Sequence, residues 1–223
     1  MKKLLFTNNN TRELLKNKKI FNFLNLESLW HYKNNPLYSK LISQKHNINF
    51  PDGRLIGLRL RIKQQRGPTF TKEFLTLKKT GSKKHFFIGN TEAEEISKIT
   101  IIKDKQLSIY NPPHIKGAQF SKKERDKIVK MLKKFKPNYV WVCIGAPKQE
   151  ILSNQLYEHY PACYFNIGAA LDFLLDKKRE APLIVRKSGI EWLYRLTTDF
   201  KHSKKKVWRS LEALRHLGRV GLK

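Results

Sequence analysis

Short apolar runs that end in glycine recur along the middle of the chain and alternate with polar, helix-forming segments. Three of these runs, rich in aromatic and β-branched residues, occupy positions 85–89, 139–145 and 162–168. Their length is typical of buried strands, and the glycine marks a turn where each strand ends. Helix-start signals follow: residues 90–95 place a polar cap before acidic residues, and Pro147 stands where the first turn of a helix tolerates proline. The pattern predicts strands that lead directly into helices.

Two further segments extend this alternation. Ser121 and Glu124 have the spacing of a capping box that opens an amphipathic helix. Residues 37–42 predict a helix, and residues 47–50 predict a short strand that ends in the turn around Asp52. Strands separated by helices form a mostly parallel sheet flanked by helices, and such sheets bind ligands at the carboxyl ends of their strands. The predicted fold class is therefore α/β.

The chain changes character after about Thr198. Residues 200–222 place apolar side chains at three- and four-residue steps, with basic residues crowding the remaining positions. The apolar set is Val207, Trp208, Leu211, Leu214 and Leu217, and the basic set is Lys201, Lys204, Lys205, Lys206, Arg209, Arg215 and Arg219. This basic amphipathic helix can lie in an anionic lipid interface, or it can pack on the body or on a sister subunit. We therefore divide the chain into a body, 1–197, and a helical appendage, 198–223.

Composition narrows the class of protein. The 223 residues are 40% hydrophobic, so the chain can bury a core, and its longest apolar run, at positions 139–144, is far too short to span a bilayer as a helix. Lys and Arg total 46 against 18 Asp and Glu, which gives a formal net charge of +28. A charge of this size indicates a polyanionic partner, either nucleic acid or anionic lipid, or else a compositional bias of the source genome.

The amino terminus and the cysteines indicate a compartment. Residues 1–6 begin like a secretion signal, but the apolar stretch stops at the Asn-rich positions 7–11. Cys143 and Cys163 each lie in an apolar segment, which suits reduced thiols better than a disulfide or a metal cluster. We expect a cytoplasmic protein with two free cysteines.

The segment at positions 144–150 carries the clearest chemical signal. A glycine turn after a buried strand, followed at once by a helix start, directs backbone N–H groups and the positive helix end toward a ligand, and Lys148 adds a cation. A diphosphate would fit there. The turn by itself is common in α/β proteins, and neither P-loop spacing nor a full dinucleotide fingerprint is present in the sequence.

This segment, Gly145-Ala-Pro-Lys-Gln-Glu150, resembles the signature of the WecG/TagA/CpsF glycosyltransferases, which form glycosyltransferase family 26. Further matching motifs are the Asp52-Gly53 turn, Arg66-Gly-Pro-Thr69, residues 166–173, Ala181-Pro182 and residues 189–195. Their order and spacing agree with the family from about Asn22 to Arg195.

The resemblance implies a membrane-associated inverting enzyme with a Rossmann-like body. It would move a sugar from a UDP-sugar to a polyprenyl-diphosphate-linked saccharide in cell-wall or surface-polysaccharide synthesis. The appendage would meet an anionic membrane surface and help to complete the site, which places the protein in the cytoplasm at the inner face of the membrane. The resemblance also implies self-association into a homo-oligomer.

The matched motifs assign roles to individual residues. Asp52 would be the base that takes a proton from the acceptor hydroxyl. Lys148, Arg66, Arg195 and the Gly145 turn would stabilise the departing diphosphate, without a metal ion or other cofactor, because the sequence contains no Asp-x-Asp motif. Substrate contacts are further expected from Asn25, Gln149 and Asp172, although an acidic residue at position 172 also suits a helix start. The membrane contact would use Lys204, Lys205, Lys206, Trp208, Arg209, Leu211 and Leu214.

Three departures from the family pattern leave the donor sugar open. Phe23 stands where many members have a threonine that contacts substrate, and Glu180 precedes Ala181-Pro182 where they have arginine. Residues 199–202 replace a basic segment. Two other hypotheses therefore stay open: a nucleic-acid-binding protein, and a catalytically degenerate partner in a polysaccharide assembly complex. We expect no nucleic-acid partner, because no RNP motif, zinc-finger spacing or helix-turn-helix is recognisable.

Overall fold

The structure is a computed structural model that describes residues 4–7, 17–177, 182, 185 and 200–222. The strands in this part are β1 (Leu4–Phe6), β2 (Ile20–Leu24), β3 (Asn47–Pro51), β4 (His85–Ile88), β5 (Leu107–Tyr110), β6 (Tyr139–Val142), β7 (Cys163–Asn166) and β8 (Val220–Leu222). The α-helices are α1 (Leu26–Asn34), α2 (Pro36–Ile42), α3 (Arg54–Leu60), α4 (Gly67–Leu75), α5 (Lys78–Gly81), α6 (Ala93–Ile99), α7 (Lys122–Phe135), α8 (Lys148–Tyr157), α9 (Ala170–Leu174) and α10 (Phe200–Leu214).

Six strands form one sheet in the order β3-β2-β7-β6-β4-β5, and every neighbouring pair is parallel. The helices between the strands flank this sheet, so the predicted α/β class with a parallel sheet is confirmed. Because all six strands run the same way, their carboxyl ends lie along one edge. The remaining strands, β1 and β8, pair in parallel in a separate two-stranded sheet.

The predicted elements of the body are confirmed, with small shifts at their ends. Strands β4, β6 and β7 occupy the three glycine-terminated runs, and α2 and β3 occupy the two segments predicted before Asp52. Ser121 caps α7 by accepting from the backbone N–H of Glu124 at 3.2 Å. Pro147 precedes the first residue of α8 and occupies its N-cap position. Both cysteines are free, as predicted.

The tail differs from its prediction as one continuous helix. Helix α10 ends at Leu214, a short 3₁₀ turn follows at Leu217–Arg219, and the chain then enters β8. The reason is that Val220 is buried and pairs with Leu4, so the last residues of the tail join a sheet with the first strand. None of the described helices combines the length and the apolar character that crossing a bilayer requires.

Two cores of different composition cover the two faces of the large sheet. One face carries an aromatic layer: Phe21, Phe23, Phe50, Phe70, Phe74, Phe87, Trp141 and Phe165. The other face is mainly aliphatic, with Ile20, Ile88, Val140 and Val142 packed under Ile128, Leu132, Leu152 and Leu156. Alternating strand residues supply the two layers, since successive side chains of a strand point to opposite faces. This burial on both faces explains why the strands have nearly continuous apolar sequences.

A third core joins the tail to the body. It contains Leu4, Leu26, Leu29, Tyr38, Ile56, Ala213 and Val220. Trp30 on α1 donates from its Nε1 to the Glu212 carboxylate at 2.7 Å, and the Arg209 guanidinium lies 4.6 Å from the centre of the Trp30 ring. Helix α10 therefore packs along α1 through its Val207, Ser210 and Ala213 face, which is buried.

A buried network of asparagine side chains connects β3, β2, β7 and α8. Asn22 Nδ2 donates to the Oδ1 atoms of Asn47 and Asn49, each at 2.9 Å. Asn166 Nδ2 donates to Asn22 Oδ1 at 2.6 Å, and Asn47 Nδ2 donates to Asn154 Oδ1 at 2.8 Å. The network lies under α8, whose sheet-facing side carries polar residues. Each bond satisfies a polar group that water cannot reach, so removal of one member takes a hydrogen-bond partner from several others.

We predict that Asn47→Ala lowers the free energy of unfolding by about 3 kcal/mol, because Asn22, Asn154 and the Leu41 carbonyl each lose a partner. Urea unfolding followed by circular dichroism measures the change. The control is Asn34→Ala, whose exposed side chain bonds only the Trp30 carbonyl among the described residues and should change stability by less than about 0.5 kcal/mol. Equal effects of the two substitutions would show that the network does not stabilise the fold.

Candidate active site

Four strand-to-helix turns lie side by side at the carboxyl edge of the sheet. Asn25 follows β2, Asp52 follows β3, Gly145 lies in the turn after β6, and Gly168 lies in the turn after β7. The strand order β3-β2-β7-β6 makes these four strands consecutive neighbours. The sheet therefore brings together positions that are more than a hundred residues apart in the sequence, as expected for a ligand site in this fold class.

Asp52 is fixed at this edge by backbone groups. Its N–H donates to the Leu24 carbonyl at 2.9 Å, and its carboxylate Oδ1 accepts from the Gly67 N–H at 3.0 Å. The side-chain amide of Gln64 donates to the Asp52 carbonyl. Asp52 is half-buried, and the Gly67 N–H sets the direction of its carboxylate. This placement suits a base that must meet an incoming hydroxyl.

Arg66 lies beside Asp52 because the residue after it, Gly67, is the donor to the Asp52 carboxylate. It occupies the N-cap position of α4. Phe23, which replaces the threonine of the family pattern, belongs to the aromatic core, with its ring 4.9 Å from that of Phe70. A side chain added at Gly67 would contact Phe23 at 3.7 Å. The departure at Phe23 thus extends the core beneath the site and offers no polar group to a substrate.

Gln149 joins the two glycine turns on the other side of the site. Its Oε1 accepts from the Gly168 N–H at 2.8 Å, and its Nε2 donates to Glu150 Oε1 at 2.8 Å. Gly145 and Gly168 both adopt positive φ, +81° and +54°, which favours glycine at these positions. Gln149 is buried. Its amide is therefore engaged within the protein, and the contact with a sugar predicted from the sequence stays a prediction.

Lys148 is the first residue of α8, at the positive end of that helix. Its ammonium group donates to the backbone carbonyl of Ile115, in the connection between β5 and α7. Lys148 itself lies three residues after Gly145 in the chain. Lys148, the first turn of α8 and Arg66 place positive groups on both sides of the edge. Across the described parts of the chain, no three His, Cys, Asp or Glu side chains lie together as metal ligands would.

Glu150 is a buried acid directly behind this turn, and its surroundings could not be read from the sequence. Only 1% of the residue is exposed, and its Oε2 has no hydrogen-bond partner among the described residues. Burial raises the pKa of the Glu150 carboxyl from 4.5 to about 7, and the carboxylate of Glu27 adds to the increase. The Gln149 amide opposes this shift by donating to the carboxylate. The Glu150 carboxyl, which is hydrogen-bonded to the Gln149 amide, therefore changes its charge near neutral pH.

Asn25 follows β2, and Asp172 lies in the helix that follows the neighbouring strand β7. Asn25 caps α1: its Oδ1 accepts from the Ser28 N–H at 3.2 Å, while its backbone lies close to Gly53. Asp172 is in the first turn of α9, half-buried, and its charge adds to the burial that raises the pKa of the Cys143 thiol. Both residues border the edge. Arg195, the Ala181-Pro182 motif as a pair and residues 189–195 lie outside the described residues.

The residues predicted to contact a membrane divide into two groups on α10. Trp208 is 69% exposed and Leu211 41% exposed, and Lys205 is exposed as well. Leu214 is half-buried against the third core, and Arg209 lies 3.3 Å from the Glu27 carboxylate. The side chains of Lys204 and Lys206 lie outside the described part. The solvent-facing side of α10 thus keeps an indole and a leucine, while Arg209 is directed to the body.

A parallel α/β sheet whose carboxyl edge carries a fixed carboxylate, cations and two glycine turns defines a Rossmann-like α/β protein. The sequence model of the family described as "Glycosyl transferase WecG/TagA/CpsF family" matches residues 6–220. The chain belongs to this family. The resemblance found in the sequence is confirmed.

Curated relatives match over a shorter region. The N-acetylglucosaminyldiphosphoundecaprenol N-acetyl-beta-D-mannosaminyltransferase of Staphylococcus aureus strain NCTC 8325 / PS 47 is 38% identical over 80 residues, which are 35% of this chain and 31% of the relative. The enzyme of the same name from strain MRSA252 is 36% identical over the same length, with the same shares of both chains. The matched region thus spans about a third of the length of these relatives.

The raised pKa of Glu150 predicts a specific pH dependence of stability. The folded state keeps the proton up to about pH 7 and the unfolded state loses it near pH 4.5, so stability falls as pH rises between these values. Glu150→Gln keeps an acceptor oxygen for Gln149 but cannot ionise. Between about pH 5 and pH 8 the unmodified protein should lose about 2–3 kcal/mol more of its unfolding free energy than the variant does.

Urea unfolding at the two pH values measures this difference. Glu158→Gln, which removes an exposed carboxylate at the end of the same helix, is the matched control. A constant stability difference between the unmodified protein and Glu150→Gln across this range would contradict the assignment.

Proposed function

We propose that the protein is an inverting glycosyltransferase that moves a sugar of the N-acetylhexosamine or related hexose class from a UDP-sugar to a polyprenyl-diphosphate-linked saccharide. The product would enter cell-wall or surface-polysaccharide synthesis. The observation that carries the proposal is the Asp52 carboxylate, held at the carboxyl edge opposite the glycine turns. Family membership supports glycosyl transfer. The name of the Staphylococcus aureus relatives, which states transfer of N-acetylmannosamine to a diphosphoundecaprenol-linked sugar, supports the substrate classes.

In this proposal Asp52 is the general base. Inversion requires the acceptor hydroxyl to attack the anomeric carbon from the side opposite the leaving UDP, and a base must remove the hydroxyl proton as the bond forms. The hydrogen bond from Gly67 fixes Oδ1 and so sets the direction of the carboxylate. The half-buried position lets an acceptor sugar reach it from solvent.

The departing UDP would bind at the turn before α8. Its diphosphate gains negative charge as the glycosidic bond breaks, and fixed positive groups stabilise that charge. Lys148, the amino-terminal end of α8 and the open backbone at Gly145 supply them on one side, and Arg66 supplies a guanidinium on the other. Arg195 is proposed as a further cation on the basis of its motif.

The remaining groups would shape the sugar and ribose sites. Gln149 ties the two glycine turns together and so fixes the distance between the diphosphate site and α9. Asp172 is proposed to accept from a ribose or sugar hydroxyl, and Asn25 to border the acceptor beside Gly53.

Asp52→Asn tests the base directly. The amide preserves the size of the side chain and its acceptor oxygen toward Gly67, but it cannot take a proton. Transfer to a short-chain polyprenyl-diphosphate sugar, measured as UDP release, should fall by about 10²–10⁴-fold while the donor Kd stays within about twofold. Asp176→Asn, at an exposed position with φ of 53° that asparagine tolerates, is the control and should keep full activity. Full activity of Asp52→Asn would remove Asp52 from the mechanism.

We also propose that the protein works as a peripheral protein at the cytoplasmic face of the cell membrane. An acceptor that carries a long lipid chain is confined to a bilayer, so its enzyme must act at the surface. The exposed Trp208 and Leu211 of α10, with Lys205 close by, match the composition of an interfacial helix. Self-association stays a prediction, with no described surface assigned to it.

Trp208→Ser combined with Leu211→Ser tests this contact without removing the tail, whose buried residues the body needs. Both side chains are exposed, so stability should stay within about 0.5 kcal/mol. Binding to phosphatidylglycerol vesicles, measured by co-sedimentation, should fall about tenfold or more. The control is Ile101→Ser, which removes an apolar side chain of similar exposure, 44%. Equal vesicle binding by the double variant and the unmodified protein would contradict a membrane contact through α10.

A further inference from the structure

Helix α3, which begins directly after the Asp52-Gly53 turn, carries an unusual surface. Its Leu58 is 61% exposed, which makes it the most exposed large apolar side chain after Trp208 in the described part of the chain. The inner side of the helix is anchored in the third core by Ile56. Leu58 is therefore presented outward by a helix that is itself firmly packed.

The end of α3 is a closed turn and not a loose loop. Arg61 takes the left-handed conformation, with φ of 55°, and its N–H donates to the Leu58 carbonyl at 3.2 Å. The Ile62 N–H donates to the Gly57 carbonyl at 3.0 Å, and a side chain added at Gly57 would lie only 3.0 Å from the Ile62 oxygen. These bonds fix the backbone on both sides of Leu58.

Cations surround this leucine. The exposed basic residues of the segment are Arg54, Arg59, Arg61 and Lys63. No Asp or Glu occurs in the sequence between Asp52 and Glu73, and no described acidic side chain forms a salt bridge with these four cations. An exposed apolar side chain with arginines and lysines near it in the sequence is complementary to the interface of an anionic bilayer. The headgroups would contact the cations, and the acyl chains would contact the leucine.

The position of α3 connects it to the other exposed apolar groups. Helix α3 contacts β8, and β8 pairs with β1, where Leu5 is 41% exposed. Strand β8 is reached from α10 through the turn at Leu217–Arg219. One residue, Gly53, separates Asp52 from α3, so a bilayer that contacts α3 would lie beside the Asp52 turn.

We propose that α3, through Leu58 and its neighbouring arginines, is a second membrane-contacting element that seats the Asp52 edge on an anionic bilayer. The inference rests on the proposed peripheral function and extends it from the appendage to the body. The bilayer would then contact α3 as well as α10, and two contacts restrict the orientation of the body more than one helix alone does.

The test uses the full chain and the double variant Leu58→Ser/Arg59→Glu. The matched control is Ile101→Ser/Lys103→Glu, which makes the same kinds of change just before β5. Strands β3 and β5 are the two edges of the six-stranded sheet, so the two sites are separated by roughly 24 Å in the direction across the strands. Co-sedimentation with vesicles of phosphatidylglycerol and phosphatidylcholine, and with phosphatidylcholine alone, gives the partition coefficients.

We expect Leu58→Ser/Arg59→Glu to lower the partition coefficient on the anionic vesicles about tenfold or more, and the control to lower it by less than about threefold, because distant charges are screened. Arg59→Gln alone should give a smaller loss in the same direction. Transfer to a water-soluble short-chain acceptor should stay within about twofold for all these variants.

Each outcome separates the inference from the proposed function. Binding of Leu58→Ser/Arg59→Glu that equals the control would overturn the role of α3 and leave α10 as the membrane contact. Absence of anionic vesicle binding by the unmodified protein would overturn both membrane contacts, while the water-soluble acceptor assay still reports on glycosyl transfer. Equal losses on anionic and neutral vesicles would contradict the part assigned to Arg59.

Discussion

The burial of a polar helix against the sheet is the constraint on which the rest of the structure depends. Helix α8 turns Gln149, Glu150, Ser153 and Asn154 inward, and none of these side chains reaches water. Such a helix is stable only where its buried polar groups find partners, and the asparagines of β3 and β7 supply them to Asn154 and Ser153. Apolar packing tolerates a small slide between helix and sheet, whereas hydrogen bonds of this kind fix one register. The start of α8, and with it the predicted diphosphate site, is therefore positioned by side chains that never touch a ligand.

Helix α1 extends this positioning to the tail. Its first turn is capped by Asn25 at the site edge and contacts Arg209 of α10 through Glu27. Its later turns meet α10 through Trp30 and Lys33. The Arg209 guanidinium bonds Glu27 and covers the Trp30 ring, so it contributes both charge and packing to this contact. Because Glu27 also adds to the raised pKa of Glu150, the tail, α1 and the turn before α8 are linked by one set of charges.

Much of this could be predicted from the sequence, and the failures have physical causes. Glycine-terminated strands and capping residues locate the body elements because they are local signals, and the Gly145 and Asp52 turns follow from them. The asparagine network could not be predicted, since Asn22, Asn47 and Asn166 become neighbours only when the strand order is known. The predicted end of the tail helix was wrong for the same reason. The sequence pattern suggested a helix as far as residue 222, but Val220 pairs with Leu4 and the chain forms a strand there. Long-range pairing outweighs local pattern there.

The high positive charge does not by itself locate a membrane surface. Cations occur on nearly every element, and α7, which packs on the aliphatic core, carries lysines in nearly every turn. The exposure of apolar side chains is a better indicator of a membrane surface than charge is, because an exposed leucine or tryptophan gains nothing from contact with water. Of the five large apolar side chains that are exposed in the described part, four lie on β1, α3 and α10. Strand β1 pairs with β8, α3 contacts β8, and the turn after α10 leads into β8, whereas Ile101 precedes the edge strand β5. The coincidence of exposed apolar groups with cations, and not the net charge, is what distinguishes these elements as a candidate membrane contact.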